Sequence, residues 1–258
     1  MDYAFFNPKA GLSYEIDEKS SFYASYSVGN REPVRGDFTQ STAQSVPNPE
    51  TLYNTEIGYR LRTSKFLLFA NYYHMDYYNQ LVNTGQINDV GAANRVNVRN
   101  SFRDGFEFQT GYLITKKLQV GANVSLSRNI ISEFTEYYYD YDIEDQVAIE
   151  HKNTDIAFSP NQIYGMNISY SPIKDVEFSI LPKYVGKQYL DNTSNEDRTI
   201  DAYFKTDFRV NYSYKGKVFK EILIGVLVNN IFSEEFANNG YTFTYVAGGE
   251  TITENFYY

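Results

Sequence analysis

From Phe102 to Tyr112 and again from Leu118 to Ser127 the chain alternates apolar and polar side chains, and the turn between the two runs is too short to hold anything else. In the first run Phe102, Phe106, Phe108 and Tyr112 share one face, while Arg103, Gly105, Glu107, Gln109 and Gly111 share the other. After Thr115-Lys116-Lys117 the pattern resumes with Leu118, Val120, Ala122, Val124 and Leu126 opposite Gln119, Gly121, Asn123, Ser125 and Ser127. A period of two is the period of a β-strand, and a turn this short makes the pair antiparallel. One face is greasy and the other is small and wet. That division suits the wall of a transmembrane β-barrel better than a soluble sandwich.

Composition agrees. The chain holds 26 Tyr and 19 Phe but no Trp, yet its mean hydropathy is only -0.48. Barrel walls average out in this way, because lipid-facing residues alternate with lumen-facing ones and aromatic girdles mark both interfaces. No run approaches the ~20 apolar residues of a membrane helix, and the longest apolar runs, 66–70 and 222–228, are strand-sized. In a bilayer only helices or closed barrels satisfy the backbone. A net charge of -9 argues against a nucleic-acid partner, whose phosphates need a basic face. The absence of cysteine removes disulfides and thiolate chemistry. The first residues, Met1-Asp2-Tyr3-Ala4-Phe5-Phe6, lack the basic and apolar regions of an export signal, so the chain is expected to be an internal piece of a longer precursor.

Short-turn hairpins are expected at 10–16 with 22–28, 53–61 with 66–73, 102–128, 164–170 with 176–184, and 204–214 with 221–229. The turns are 17–20, 62–65, 115–117, 171–175 and 215–217. Between the hairpins lie longer segments, 31–52, 76–98, 129–162, 188–203 and 230–258, rich in Asn, Asp, Gly, Pro and Tyr and expected to be irregular. Short turns on one rim and long loops on the other are the periplasmic and extracellular sides of a bacterial barrel. Long loops on a rigid scaffold are where such a protein binds. Residues 1–258 therefore read as one β-barrel domain, with no second domain.

Several segments carry a family resemblance. Asn7-Pro8-Lys9-Ala10-Gly11-Leu12-Ser13-Tyr14, Ser21-Phe22-Tyr23-Ala24-Ser25-Tyr26-Ser27, Arg31-Glu32-Pro33, Asn48-Pro49-Glu50 and Asn54-Thr55-Glu56-Ile57-Gly58-Tyr59 resemble the mid-barrel part of TonB-dependent outer-membrane receptors. Phe102-Arg103-Asp104-Gly105-Phe106-Glu107 resembles one of that family's strand openings. The run from Tyr184 to Thr193 looks like the form in Bacteroidetes-type members, and Val228-Asn229-Asn230-Ile231-Phe232 is similar to the motif at the top of the penultimate strand. The resemblance covers the whole chain in order.

What the resemblance implies is an antiparallel transmembrane wall of about ten strands, the C-terminal part of a barrel of about 22 strands that a plug closes. The plug, the N-terminal box that contacts the TonB complex and the last strand are absent from this sequence. The parent is implied to sit in the outer membrane of a Gram-negative bacterium, in contact with lipid and lipopolysaccharide. By active transport it would import a scarce ligand, a ferric siderophore or haem, with no resident cofactor and no enzyme activity. A passive porin, a small outer-membrane barrel enzyme and a soluble β-rich binding module stay open as alternatives. An enzyme would have to use His74 or His151 as its imidazole, and neither sits in a recognisable catalytic motif.

Candidate substrate-binding residues are Arg31, Arg35 and Arg95, whose guanidinium forks suit the carboxylates or phenolates of an anionic ligand. Arg99 and Arg103 belong to the same set, and for all five the plainer reading is pairing with acids inside the wall or with lipopolysaccharide phosphates outside it. The acidic and aromatic run 133–145 adds Tyr137, Tyr138 and Tyr139; its plainer reading is a strand carried above the membrane, with a Ca²⁺ site as the sharper one. Tyr189 and Tyr241 complete the rim aromatics. Two histidines are too few for a His-based metal cluster, so no metal site is assigned; His74 reads as an interface or rim residue at a strand's outer end, and His151 either as a solvated loop residue or as a contact to haem or iron. Tyr26, Tyr59, Tyr72, Tyr112, Tyr170 and Tyr212 share the apolar face and are expected to be girdle residues. Gly58, Gly111, Gly121 and Gly165 are expected to leave the inward face open.

Overall fold

The computed structural model describes residues 3–39, 46–87, 93–216 and 218–258. The first strands are β1 (Lys9–Glu15) and β2 (Ser20–Arg31), then a short helix α1 (Arg35–Thr39), then β3 (Glu50–Arg62), β4 (Phe66–Ile87), β5 (Ala93–Thr115) and β6 (Leu118–Asp140). Next come β7 (Asp145–Asp155), β8 (Gln162–Tyr170), β9 (Val176–Val185), the two-residue β10 (Gln188–Tyr189) and β11 (Thr199–Ile200), and β12 (Tyr203–Tyr214). The chain ends with β13 (Ile222–Val228), β14 (Gly240–Ala247) and β15 (Glu250–Tyr257).

The wall is one antiparallel sheet in the order β1-β2-β3-β4-β5-β6-β8-β9-β12-β13. All five expected hairpins are in it. Its register keeps the alternation in phase from strand to strand: Phe22 lies beside Tyr59, Tyr72 beside Phe106, Phe106 beside Leu126, and Tyr170 beside Phe178. These face outward, and so do the expected girdle tyrosines. Leu12 is 74% exposed, Ile57 52% and Phe106 52%, fractions that suit a surface meant for lipid rather than water. Cross-strand rings knit that surface together, with centroids 4.9 Å apart for Phe22 and Tyr59 and 5.1 Å for Tyr72 and Phe106. Among the described residues no helix is long and apolar enough to cross a membrane.

The short turns are closed by side chains. The Asp17 carboxylate accepts from the Lys19 and Ser20 amides, both at 2.8 Å. The Thr63 hydroxyl accepts from the Phe66 amide at 2.9 Å, and that of Thr115 from the Leu118 amide at 3.0 Å. Asp and Thr in these turns are therefore sequence signals with a mechanism. Lys217, expected in the fifth turn, lies outside the described residues.

The inward face is polar but less open than its glycines suggested. A Cβ on Gly58 would stand 2.0 Å from the ring of Tyr23, whose hydroxyl donates to Asn71 at 2.8 Å, and one on Gly165 would meet the amide of Asn123 at 2.5 Å. These glycines make room for a neighbour's side chain. Gly111 and Gly121 do look onto open space or ordinary contacts.

Most of the long segments are not irregular, which corrects the expectation. Strands β4, β5 and β6 continue past the wall, 129–162 is largely the β6–β7 hairpin, and 230–258 ends in the β14–β15 hairpin. Strand β6 changes partner on the way, pairing with β8 from Leu118 to Leu126 and with β7 from Ile130 to Asp140. Asn79, whose φ of 55° is a conformation Asn tolerates, stands where β4 leaves the wall. Above that level the strands bury a core of Val82, Val98, Ile131, Phe134 and Ile156, with Leu190 and Ile200 also buried nearby. The buried hydrophobic residues of the described chain all lie at this end, the rim.

Candidate functional site

The rim extensions enclose a cavity of about 580 Å³. Strand β5 supplies Arg95, Asn97 and Arg99, β6 supplies Glu133, Glu136 and Tyr137, the segment after β10 supplies Asp191 and Arg198, and β14 supplies Thr242 and Thr244. Residues more than a hundred positions apart meet here because β6 carries both the wall and the rim.

One charge network holds the cavity floor. Arg198 Nη1 donates to Asp191 Oδ2 at 2.7 Å and to Glu136 Oε1 at 2.5 Å, while Glu136 Oε2 lies 3.0 Å from His151 Nε2. Burial pulls the Arg198 guanidinium toward losing its proton, but Asp191 first and Glu136 second more than offset this and raise its pKa. Removing one partner of such a buried set costs about 3–5 kcal/mol, because the other charge is left uncompensated. Asp191 also accepts from Thr193, and Asn192, fully buried, takes the Ala157 amide at 2.8 Å. The Asp191-Asn192-Thr193 segment is thus a tie between loops.

The β14–β15 hairpin lies across this floor. At its tip Gly248 and Gly249, both at positive φ, donate to the Asp142 carboxylate at 2.8 and 2.6 Å. Tyr245 and Val246 pair in parallel with Tyr139 and Asp140. At its base Asn255 donates to the Asp197 carbonyl at 2.6 Å and Tyr257 to that of Thr199 at 3.0 Å. Arg198 Nε beneath it, and Thr242 Oγ1 and Asn255 Oδ1 on the hairpin itself, are buried without a partner among the described residues. Each orphaned group costs about 1–3 kcal/mol.

A second, aromatic cleft of about 390 Å³ opens beside the hairpin, between Tyr137, Tyr138, Tyr139 and Tyr141 of the β6–β7 tip and Phe243 and Tyr245 of β14. Tyr139 and Tyr141 meet edge to face at 4.9 Å, and Tyr141 and Tyr245 at 6.0 Å. Among the described residues no group of three or more His, Asp or Glu side chains could hold a metal ion.

The residues singled out from sequence fall into three groups. Arg95 lines the cavity and is tied to buried Asp37 of α1 at 2.6 Å, and Tyr137 lines both cavity and cleft, with Tyr138 and Tyr139 in the cleft. Arg31 sits at the rim end of β2, ion-paired to Glu50 at 3.0 Å, and Arg35 is exposed on α1 without a partner among the described residues. Tyr189 and Tyr241 stand apart from both hollows: the Tyr189 hydroxyl donates to Glu196 at 2.8 Å, and Tyr241 stacks on Phe256 at 4.8 Å.

Arg103 is not a loop or end residue. It lies within β5 and donates to Asn129 at 2.9 Å and Ser159 at 3.0 Å. Nor is His74 at a strand end: it sits within β4 on the outward face, 3.0 Å from Asp76. His151, expected as a solvated loop residue, is a member of β7 and of the charge network. Sequence reasoning missed Arg198, Asp191 and Thr242. The one available signal was the run from Tyr184 to Thr193, which marked the segment of Asp191 without marking its use.

The sequence matches the family described as "TonB dependent receptor-like, beta-barrel" over residues 1–231. No curated protein matches by sequence. In fold the chain is similar to the siderophore receptor PiuA from Acinetobacter baumannii, with a TM-score of 0.66 and 20% identity over 97% of this chain and 35% of that one. The ferric yersiniabactin uptake receptor FyuA from Yersinia pestis gives 0.62 and 15% over 96% and 34%. The copper transporter OprC gives 0.63 and 14% over 96% and 37%. The chain therefore spans about a third of the length of these structures. With the family matched over most of its length, on a wall of outward apolar and inward polar alternation, the chain belongs to the TonB-dependent receptor β-barrel family.

Proposed function

We propose that residues 1–258 are the C-terminal part of one β-barrel domain in an outer-membrane receptor of a Gram-negative bacterium, and that the parent actively imports a scarce nutrient, a ferric siderophore or haem. The observation that carries this reading is the pairing of a lipid-suited wall with an ordered rim cavity lined by Arg95, Arg99 and Arg198. Of these, Arg95 and Arg198 are already paired with Asp37 and with Asp191 and Glu136, which leaves exposed Arg99 as the guanidinium open to an anionic chelate. The structural relatives include a siderophore receptor and a ferric yersiniabactin uptake receptor, which supports iron as the cargo.

In this proposal the wall contacts lipid and lipopolysaccharide, the rim captures the ligand, and the TonB complex supplies the energy through a part of the parent outside this sequence. The 258-residue chain alone would not transport. The test is uptake of radioactive iron, offered as ferric siderophores and as haem, by cells with and without the gene and with and without an uncoupler. Loss of uptake on deletion and on uncoupling is expected. Uptake that survives the uncoupler would favour a passive porin and sink the proposal.

A further inference from the structure

The aromatic cleft beside the hairpin is walled differently from the cavity next to it. Tyr141 stands at 69° to Tyr139 and at 86° to Tyr245, so these rings enclose a volume instead of lining up as one flat platform. A planar ligand would need the platform. At about 390 Å³ the cleft is within the size range of small-molecule sites and has room for a compact head group. Its shape is set in advance: Tyr245 and Val246 pair with Tyr139 and Asp140, and Asp142 takes the tip amides of Gly248 and Gly249, so the two walls need little ordering when a ligand enters.

Charge decides what such a cleft takes. Glu254 is the charged side chain among the lining residues, and its Oε1 accepts from the Tyr245 hydroxyl at 3.3 Å while Oε2 makes no hydrogen bond among the described residues. The segments that build the cleft, 133–150 and 240–258, hold acidic residues and no Lys, Arg or His. Tyr137, 56% exposed, and Tyr138 have no ring partner among the described residues, which leaves their faces to a ligand. Those faces carry the negative end of the aromatic quadrupole, and a nearby carboxylate adds to it. An anion is repelled here. We propose that this cleft binds an organic cation, an alkylated ammonium group seated among Tyr137, Tyr139, Tyr141 and Tyr245 with Glu254 as its counter-ion. The site goes beyond the receptor reading and is opposite to it in sign, sharing only Tyr137 and Thr244 among its lining residues with the cavity assigned to an anionic chelate.

Choline is the probe, and 3,3-dimethylbutan-1-ol, of the same shape without the charge, is its control. The full-length protein in detergent micelles is titrated with each, and with glucose, by calorimetry, and the methyl protons of the two probes are followed by NMR. Choline should bind saturably with its methyl resonance moved upfield by the rings, and the neutral alcohol about fivefold more weakly, the factor that a cation–π contact supplies. Tyr141→Leu should weaken choline about fivefold while Tyr141→Phe keeps it, since the contact needs the ring and not the hydroxyl. Glu254→Gln should weaken choline and leave the alcohol unchanged. No saturable choline binding, equal affinity for choline and the alcohol, or indifference to Tyr141→Leu overturns the site, and saturable binding of glucose in place of choline would make it a sugar cleft instead. The receptor reading stands or falls separately, on iron uptake.

Discussion

Strands β4, β5 and β6 pass through two regions that bury opposite things. In the wall they turn Tyr72, Phe106 and Val124 outward and Asn71, Glu107 and Ser125 inward. In the rim the same strands bury Val82, Val98, Ile131 and Phe134 against one another, as a water-soluble domain does. The backbone ladder is continuous, so the polarity of burial follows the surrounding solvent and not the strand. Hydrophobic burial stabilises the rim in water, whereas the wall depends on backbone pairing and on a lipid-compatible exterior. One substitution rule cannot serve both.

The largest expected effect lies in the rim. Phe134→Ala empties a core site that is 5% exposed and should cost about 3–5 kcal/mol. The loss should be local: amide exchange of Val82, Val98 and Ile131 accelerates while Tyr72 and Phe106 in the wall keep their protection. Equal loss in both regions would show that wall and rim open as one unit.

Next is a contrast between neighbours. Val124 points out of the wall and Ser125 into it, so Val124→Arg near the middle of the bilayer should cost about 2–4 kcal/mol, while Ser125→Arg, beside Glu107, should change little. The measurement is the folded fraction after insertion into lipid vesicles. Similar losses for the two variants would reverse or abolish the assignment of faces.

A smaller effect probes how full the inner face is. In Gly58→Ala the new methyl must displace the Tyr23 ring and break its hydrogen bond to Asn71, an overpacking cost of about 1–3 kcal/mol. Gly111→Ala, with only a contact at 3.9 Å, should be nearly silent in the same thermal unfolding assay. If both behave alike, the inner face is uniformly open and the tyrosine cover is unimportant.

The wall was legible because its signal is periodic. Alternation such as Leu118 to Ser127, closed by Asp17, Thr63 or Thr115 at the turns, depends on residues a few positions apart. The rim was not, for the opposite reason. Tyr137, Tyr138 and Tyr139 are consecutive and mask any period of two, and the apolar residues of the core, Val82, Val98 and Ile131, are spread among polar neighbours on three strands. Arg198 follows Asn195-Glu196-Asp197 and reads as a solvated loop, whereas the fold buries it and pairs it with Asp191 and with Glu136, 62 positions away. Tyr189 and Tyr241 carried the right chemistry at the right end, but the Tyr189 hydroxyl already donated to Glu196 and the Tyr241 ring already stacked on Phe256.

The smallest expected effect separates the two ends of the molecule by pH and salt. Asp17, in a wall turn, has its pKa lowered from 3.8 by hydrogen bonds from the Lys19 amide and then the Ser20 hydroxyl. Glu196, in the rim, has its pKa lowered from 4.5 by Lys187 first and Tyr189 second. A carboxylate whose folded pKa is depressed contributes stability that is present above its unfolded value and is lost as pH falls through the folded value. Acid should therefore loosen the rim segment around Glu196 once pH drops below 4.5, and the turn at Asp17 once it drops below 3.8. Salt tells them apart. The Asp17 acceptor sits on neighbouring amide and hydroxyl dipoles, which added ions disturb little, but Glu196 answers to the mobile charge of exposed Lys187, which salt screens. Following the two carboxyl carbons by NMR from neutral to acid pH, the Glu196 midpoint should rise toward its ordinary value in high salt and in Lys187→Met, while Asp17 stays where it is. A Glu196 midpoint indifferent to both would mean that its stabilisation comes from Tyr189 and not from the ion pair.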